Sequence, residues 1–493
     1  MTTLRKSLVI TFLASNGAAA VGLIVTTILA RILTPAEIGV FSITTGLIAL
    51  AHVFRDFGVS TFILRVEQLT PDKLRAATGV LIVSSWSIGI CAFLASDWAA
   101  QYFHQPGIAP VMRVLAAGFL FIPLGATTHA LLTREYRARE QALASLIALT
   151  IYNTSVLVMA YAGMGYMALA WANLINIIVS GLALAYFRPP GLPWLPSLRG
   201  WREVTKFGGG AIIGNCVGSV NNALPDLMLG KLSGPHDVGL LSRASATANI
   251  FMQLAGPAVN YAAIPFMAKK HHSGASLESG LTKAVAYLTV CSWPPLLVTA
   301  IFARDIVIVL YGWQWLDCIP AVQLFCLLTA INLVFNFLVP GLFAIGRPYL
   351  AIAPNLFLLL ARAIALVLVY DGTLRSFGWG LVWASLLTIP VNLYIQATQL
   401  QLNARLLGRA LVPSAVVALA CGTVAWALFA ALPAHWYPIV RLSILAGFLV
   451  PVWLVSLLGI KHPLAEELRK VSLTNKSLER ILAFARLVPG TRK

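Results

Sequence analysis

A chain of 493 residues that is 59% hydrophobic and only 11% charged holds less than half the charged fraction of an ordinary soluble domain, about 25%. A water-soluble globule is thereby excluded. The net charge of +18 would suit a nucleic-acid binder, but the basic residues are spread among connections between long apolar runs, so no nucleic-acid partner is expected.

Apolar runs of the roughly 20 residues that a helix needs to cross a hydrocarbon core about 30 Å thick recur throughout, and about fourteen spans are predicted. The first, 8–30, follows Arg5 and Lys6 and is longer than a secretory leader core, so it reads as an uncleaved helix, with Asn16 as a polar residue beside Gly17. The second, 38–64, carries His52, Arg55 and Asp56. At 1.5 Å per residue Arg55 lies about 25 Å along it. A charge at the bilayer centre costs about 2.5–3.5 kcal/mol, so such a residue faces a cavity or a partner. His52 and Asp56, four residues apart, share a face. Arg55 holding an anionic head group, with His52 and Asp56 exchanging protons, is one reading. An internally paired cluster, or one anchored at the interface, is the other.

Spans 77–98, 109–132, 142–163 and 165–187 follow, with Arg113 read as an interfacial anchor. The stretch from Arg188 to Val204 holds four prolines and two tryptophans and reads as a linker. The seventh span, 205–230, contains Gly208 to Gly210, Asn215, Asn222, Pro225 and Asp226, and the eighth, 241–267, contains Arg243, Asn249 and Gln253. These fit helices lining water, although glycines equally suit close helix packing. Spans 284–303, 319–345 and 348–370 come next; Arg362 lies about 20 Å along the last of them, where it either faces a cavity or pairs with another helix. Spans 376–397, 410–431 and 438–459 complete the set, with Arg441 read as a second interfacial anchor.

Residues 31–42 read RILTPAEIGVFS and residues 231–242 read KLSGPHDVGLLS, so Pro35, Gly39 and Ser42 recur as Pro235, Gly239 and Ser242. An internal repeat with an even number of spans gives parallel halves related by an axis along the membrane normal. The expected fold is therefore all-α and polytopic, with a six-helix lobe over 1–187, a linker over 188–204 and a second six-helix lobe over 205–400. Two further helices over 401–460 and a basic amphipathic tail over 461–493 complete it. Lys and Arg crowd one side of this topology, whereas Arg31, Lys231, Arg304 and Arg375 fall on the other; the positive-inside rule then makes both termini cytoplasmic. There is no phosphate-cradling glycine loop, metal-spaced histidine cluster or sizeable external domain. No enzyme, catalytic residue, metal or resident cofactor is expected. Arginines lining a cavity suit a diphosphate, because guanidinium groups replace its hydration with charge-assisted hydrogen bonds.

The first hairpin, ARILTPAEIGVFSITTGLIALAHVFRDFGVSTFILR, together with TREYRAREQALASL, VLYGWQWLDCIPAVQLFCLL and AIGRPYLAIAPN, resembles the Wzx-type polysaccharide transporter family of the MOP (multidrug/oligosaccharidyl-lipid/polysaccharide) flippase superfamily. The resemblance implies a MATE-like pair of six-helix bundles around a central cavity. It also implies alternating-access export of undecaprenyl-diphosphate-linked oligosaccharide to the outer leaflet of a bacterial inner membrane, for exopolysaccharide, capsule or O-antigen assembly. A proton or sodium gradient is the implied drive, with His52, Asp56 and Asp226 as ion-coupling candidates. Partners would be the glycolipid, membrane lipids and other polysaccharide-assembly proteins. Related flippases place diphosphate-binding arginines on the second and eighth helices, which corresponds to Arg55 and Arg243, beside Arg362. Asn16, Asn215, Asn222, Asn249 and Gln253 would line the cavity. The alternatives are a MATE-like drug/cation antiporter and, from another class, a membrane glycan polymerase or ligase.

Overall fold

The computed structural model describes residues 2–56, 58–135, 137–189, 193, 195–250, 252, 278–433, 435–460 and 462–465, and among these there is no strand. Eleven helices of the described residues are long and apolar enough to cross a membrane. Of the fourteen spans expected, 8–30, 205–230 and 241–267 fall wholly or partly on residues or side chains outside the described set, and the figure of fourteen is not reached. The tail from 466 onward is likewise outside it.

Internal contacts divide the chain into two compact units, 1–242 and 243–493. In the first unit, α1 (Thr2–Ile32), α2 (Pro35–Asp56), α3 (Val59–Arg65), α4 (Pro71–Leu94), α5 (Ser96–Tyr102), α6 (Ile108–Arg134), α7 (Ala138–Tyr161), α8 (Tyr166–Tyr186) and α9 (Trp201–Leu232) follow in order. The unit closes within α10, which runs over 235–250. Among the eleven candidate spans of the described residues α6 is the most enclosed, 56% buried against 11% for the last helix, and α4 and α8 pack against it. The proline-rich stretch packs back onto this unit: the Ser197 amide donates to the Arg75 carbonyl at 3.0 Å, and Lys73 pairs with Glu203 at 2.9 Å.

Helix starts follow the local sequence. Thr34 and Glu37 form a reciprocal capping box in front of α2, the Thr34 amide donating to the Glu37 carboxylate at 2.8 Å and the Glu37 amide to the Thr34 hydroxyl at 3.3 Å. Thr70 caps α4 through the Lys73 amide, with Pro71 at the first helical position. The second expected span is not continuous. Gly58 adopts a left-handed conformation (φ 75°) that separates α2 from α3, a geometry glycine adopts without steric cost. Another span, 319–345, is also divided, into two helices separated by turns over 334–337.

The repeated hairpins meet. A Cβ on Gly39 would overlap the Pro235 carbonyl, and a Cβ on Gly239 would overlap the Pro35 carbonyl. Each copy thus supplies the bare glycine face on which the other copy's proline backbone rests. Farther along, Gly230 faces Ile43 and Gly46 faces Leu227, so α2 and α9 continue the same close packing.

The second unit contains α11 (Glu278–Ile301), α12 (Ala303–Leu310), a 3₁₀ turn (Trp313–Cys318), α13 (Ile319–Leu333), α14 (Leu338–Ala344), α15 (Ile352–Val369), α16 (Leu374–Gln399), α17 (Ala404–Ala431) and α18 (Pro438–Gly459). It corrects the reading of Arg441 as an interfacial anchor. Arg441 is 5% exposed and donates to Asp305, itself 2% exposed, at 2.9 Å, with its guanidinium over the rings of Phe302 and Phe429. At the other end of α18, His462 is fully buried. Its Nδ1 accepts the Leu464 amide at 3.1 Å, and its Nε2 lies 3.3 Å from the Ser414 hydroxyl. An accepting Nδ1 fixes a neutral ring with the proton on Nε2.

Three outcomes test these contacts. Gly39→Val should lower the melting temperature in detergent, consistent with an overpacking cost of about 1–3 kcal/mol. Gly22→Ala, where an added Cβ meets nothing within 4 Å, should leave it unchanged. Asp305→Ala should cost roughly 3–5 kcal/mol by stranding a buried cation; the paired replacement Asp305→Leu/Arg441→Met should recover most of it, and equal melting of the single variant and the parent would contradict the buried pair. Burial holds the His462 imidazole below its usual value of 6.5. Its contribution to stability is therefore present above that value and lost as pH falls through the lower folded one. Melting curves at pH 7.5 and 5.5 should show a smaller loss for His462→Gln than for the parent chain.

Candidate functional site

Arg55 occupies the last turn of α2, immediately before the Gly58 break. Helix ends leave their final carbonyls without intrahelical donors, and here the Ser84 hydroxyl of α4 donates to the Arg55 carbonyl at 2.7 Å. The following short helix is closed by Arg134 of α6, whose guanidinium donates to the carbonyls of Ile63 and Val66 at 2.6 and 2.7 Å and of Glu67 at 3.1 Å. A cation over the last carbonyls also complements the helix dipole. Beneath the short helix, Phe62, Ile63, Leu74, Leu81, Leu131 and Val204 form a buried apolar cluster. The broken segment is thus anchored on both sides of the break.

The break opens a cavity of about 300 Å³ within the first unit, lined by Arg55 from α2, Ser60 from α3, Ile122, Gly125, Ala126 and His129 from α6, and Asn176, Ile177, Ser180, Gly181 and Leu184 from α8. Small residues make the space. A Cβ on Gly125 would lie 3.0 Å from the Gly181 Cα, so α6 and α8 approach at their glycines and leave volume beside them. Arg55 and His129 are the ionisable members of this described lining, and it contains no carboxylate. The chemistry of such a lining suits an anion, which a guanidinium holds through charge-assisted hydrogen bonds.

The other sequence candidates are dispersed. His52, one turn before Arg55, stacks on Phe119 of α6 with ring centroids 4.7 Å apart and is not part of the described lining. The side chains of Asn16, Asp56 and Asn215, and the whole of Gln253, lie outside the described residues. Asn222 is exposed and Asp226 half-buried, one turn apart on α9. The Asn249 amide turns back on its own helix and donates to the Ser245 carbonyl at 2.9 Å. Arg243 places its guanidinium over the Tyr311 ring at 5.9 Å, and Thr247 bonds the Tyr311 hydroxyl at 3.1 Å. Arg362 is half-buried on α15. Arg243 and Arg362 belong to the second unit and are absent from the Arg55 cavity lining. Among the described residues no group of three or more His, Cys, Asp or Glu side chains could hold a metal.

Sequence reading missed Ser60, His129, Asn176 and Ser180. The available signal was spacing. Asn176 and Ser180 stand four apart in an otherwise apolar span, as do Gly125 and His129 in another, and each pair therefore shares a helix face.

Comparison with known proteins bears on what this arrangement serves. The family model described as "Polysaccharide biosynthesis protein" matches residues 28–320. The chain is 24% identical over 319 residues to the lipopolysaccharide biosynthesis protein WzxC of Escherichia coli (strain K12), a match covering 64% of each chain. It is 22% identical over 330 residues to the succinoglycan biosynthesis transport protein ExoT of Rhizobium meliloti (strain 1021), covering 65% of each. The chain thus spans just under two thirds of the length of these two relatives. With the teichuronic acid biosynthesis protein TuaB of Bacillus subtilis (strain 168), 19% identity over 390 residues covers 76% of this chain and 78% of that one. Among solved structures, the lipid II flippase MurJ in its inward closed conformation superposes with a TM-score of 0.74 at 12% identity, over 91% of this chain and 98% of that one. An inward-facing MATE-family multidrug transporter of the MOP superfamily gives 0.55 at 15% identity, over 79% and 94%. At these identities the solved structures establish a shared all-α membrane fold.

Proposed function

We propose that this chain, which belongs to the polysaccharide biosynthesis protein family, carries a lipid-linked oligosaccharide across the bilayer and holds the diphosphate of that lipid at Arg55. The observation that supports the reading is the cavity at the end of α2, with one guanidinium and no carboxylate in its described lining. A drug-cation antiporter would call for a carboxylate in that place. The names of relatives support the cargo class, since ExoT is a succinoglycan transport protein and WzxC a lipopolysaccharide biosynthesis protein. Nothing in the proposed cycle makes or breaks a covalent bond.

In this reading the protein sits in the bacterial inner membrane with both termini cytoplasmic, the side on which its basic connections gather. Arg55 then lies in the cytoplasmic half, where a newly made glycolipid arrives. The lobes over 1–187 and 205–400 would alternate access about the cargo before releasing it to assembly proteins on the far side. His52, Asp56 and Asp226 are the candidates for coupling to a proton or sodium gradient, and Arg243 and Arg362 for later contact with the diphosphate.

Arg55→Gln removes the charge but keeps a hydrogen-bonding side chain. Hydrogen bonds to charged groups contribute about 1.5–3 kcal/mol, so transport of undecaprenyl-diphosphate-linked sugar into the outer leaflet of proteoliposomes should fall roughly tenfold to a hundredfold, with the protein still inserted. Arg55→Lys should retain part of the activity. Undiminished transport by Arg55→Gln would overturn the assignment.

A further inference from the structure

We propose that the α6 and α8 wall of the Arg55 cavity, through Asn176, Ser180 and His129, is the subsite for the sugar ring joined directly to the diphosphate, and thereby sets which glycolipids are accepted. This rests on the reading of Arg55 as the diphosphate ligand. The wall has the chemistry of a hydroxyl reader. Asn176 and Ser180 are one helical turn apart on α8 and both line the cavity, and His129 lines it from α6. An amide, a hydroxyl and an imidazole donate and accept hydrogen bonds, as ring hydroxyls do. A second phosphate would be matched instead by further fixed cations, and in the described lining Arg55 is the lone guanidinium.

Size and shape agree. A volume of about 300 Å³ stands at the small end of ligand pockets, about 300–1,000 Å³. That accommodates a diphosphate with about one ring. Ile122, Ile177 and Leu184 share the lining with the polar groups, which gives the C–H face of a pyranose an apolar surface while its hydroxyls meet the polar ones. The Gly125 and Gly181 approach keeps that space clear of side chains. A site that hydrogen-bonds a particular hydroxyl discriminates against a ring that lacks or inverts it, because its own amide or hydroxyl is then buried without a partner.

The test measures binding of undecaprenyl diphosphate, bare or carrying a single glucose, galactose or N-acetylglucosamine, to the full chain in lipid nanodiscs. The parent protein should rank the three glycolipids with differences of roughly tenfold or more. Asn176→Ala/Ser180→Ala should compress that ranking to within about threefold while binding of bare undecaprenyl diphosphate is kept; His129→Ala, at an exposed position with little bearing on folding, should compress it in part. Arg55→Gln should weaken all four lipids alike. A parent protein without preference, or a double variant that folds and keeps the parent ranking, overturns the sugar subsite. So does a double variant that loses bare undecaprenyl diphosphate as strongly as the glycolipids, since the wall would then be holding phosphate. Should the double variant fail to fold, an unaltered ranking in His129→Ala overturns it as well. Arg55→Gln binding bare undecaprenyl diphosphate as the parent does defeats the diphosphate reading itself, a result distinct from loss of ranking alone.

Discussion

A guanidinium at the end of a membrane-spanning helix needs polar groups around it, and in the first unit Arg55 has them where α2 stops. The chain answers by ending α2 at that point, turning through Gly58 and opening a polar cavity between α6 and α8. A broken helix exposes carbonyls that lipid cannot satisfy, so the break has its own supports: Ser84 takes the Arg55 carbonyl, and Arg134 takes three carbonyls at the end of α3. The segment after the break lines the cavity through Ser60 and is buried in protein through Phe62 and Ile63.

Arg441 is the same residue type in a filled site. It is buried against Asp305 and held between two phenylalanine rings. An arginine neutralised in this way has its donors directed at a fixed partner and is poorly placed to exchange one ligand for another. Burial and charge alone therefore do not mark a site. The useful distinction is whether the surrounding groups enclose space, as at Arg55, or fill it, as at Arg441.

The apolar runs, the prolines at helix starts and the membrane class are legible in the sequence because each depends on local composition or on a few adjacent residues. The repeat was legible too, and the structure gives it a physical meaning: Gly39 and Gly239 are bare because a proline carbonyl from the other copy occupies the place of a side chain. What sequence reading missed depends on contacts distant along the chain. Asp305 and Arg441 are 136 positions apart, and no helical periodicity joins them. The break at Gly58 was masked by hydrophobicity, since apolar residues continue on both sides of it.

On the proposed reading, selection of cargo follows from dividing labour within one small space. A cation attracts any diphosphate at long range and with little regard to what is attached, so charge supplies affinity without identity. Neutral donors and acceptors act only at hydrogen-bond distance and only in the right direction, so they supply identity without much affinity of their own. Placing Arg55 on α2 and the neutral groups on α6 and α8 separates these two tasks between different helices. On the proposed reading, a change of sugar would fall on the neutral wall and leave the task of the guanidinium unaltered.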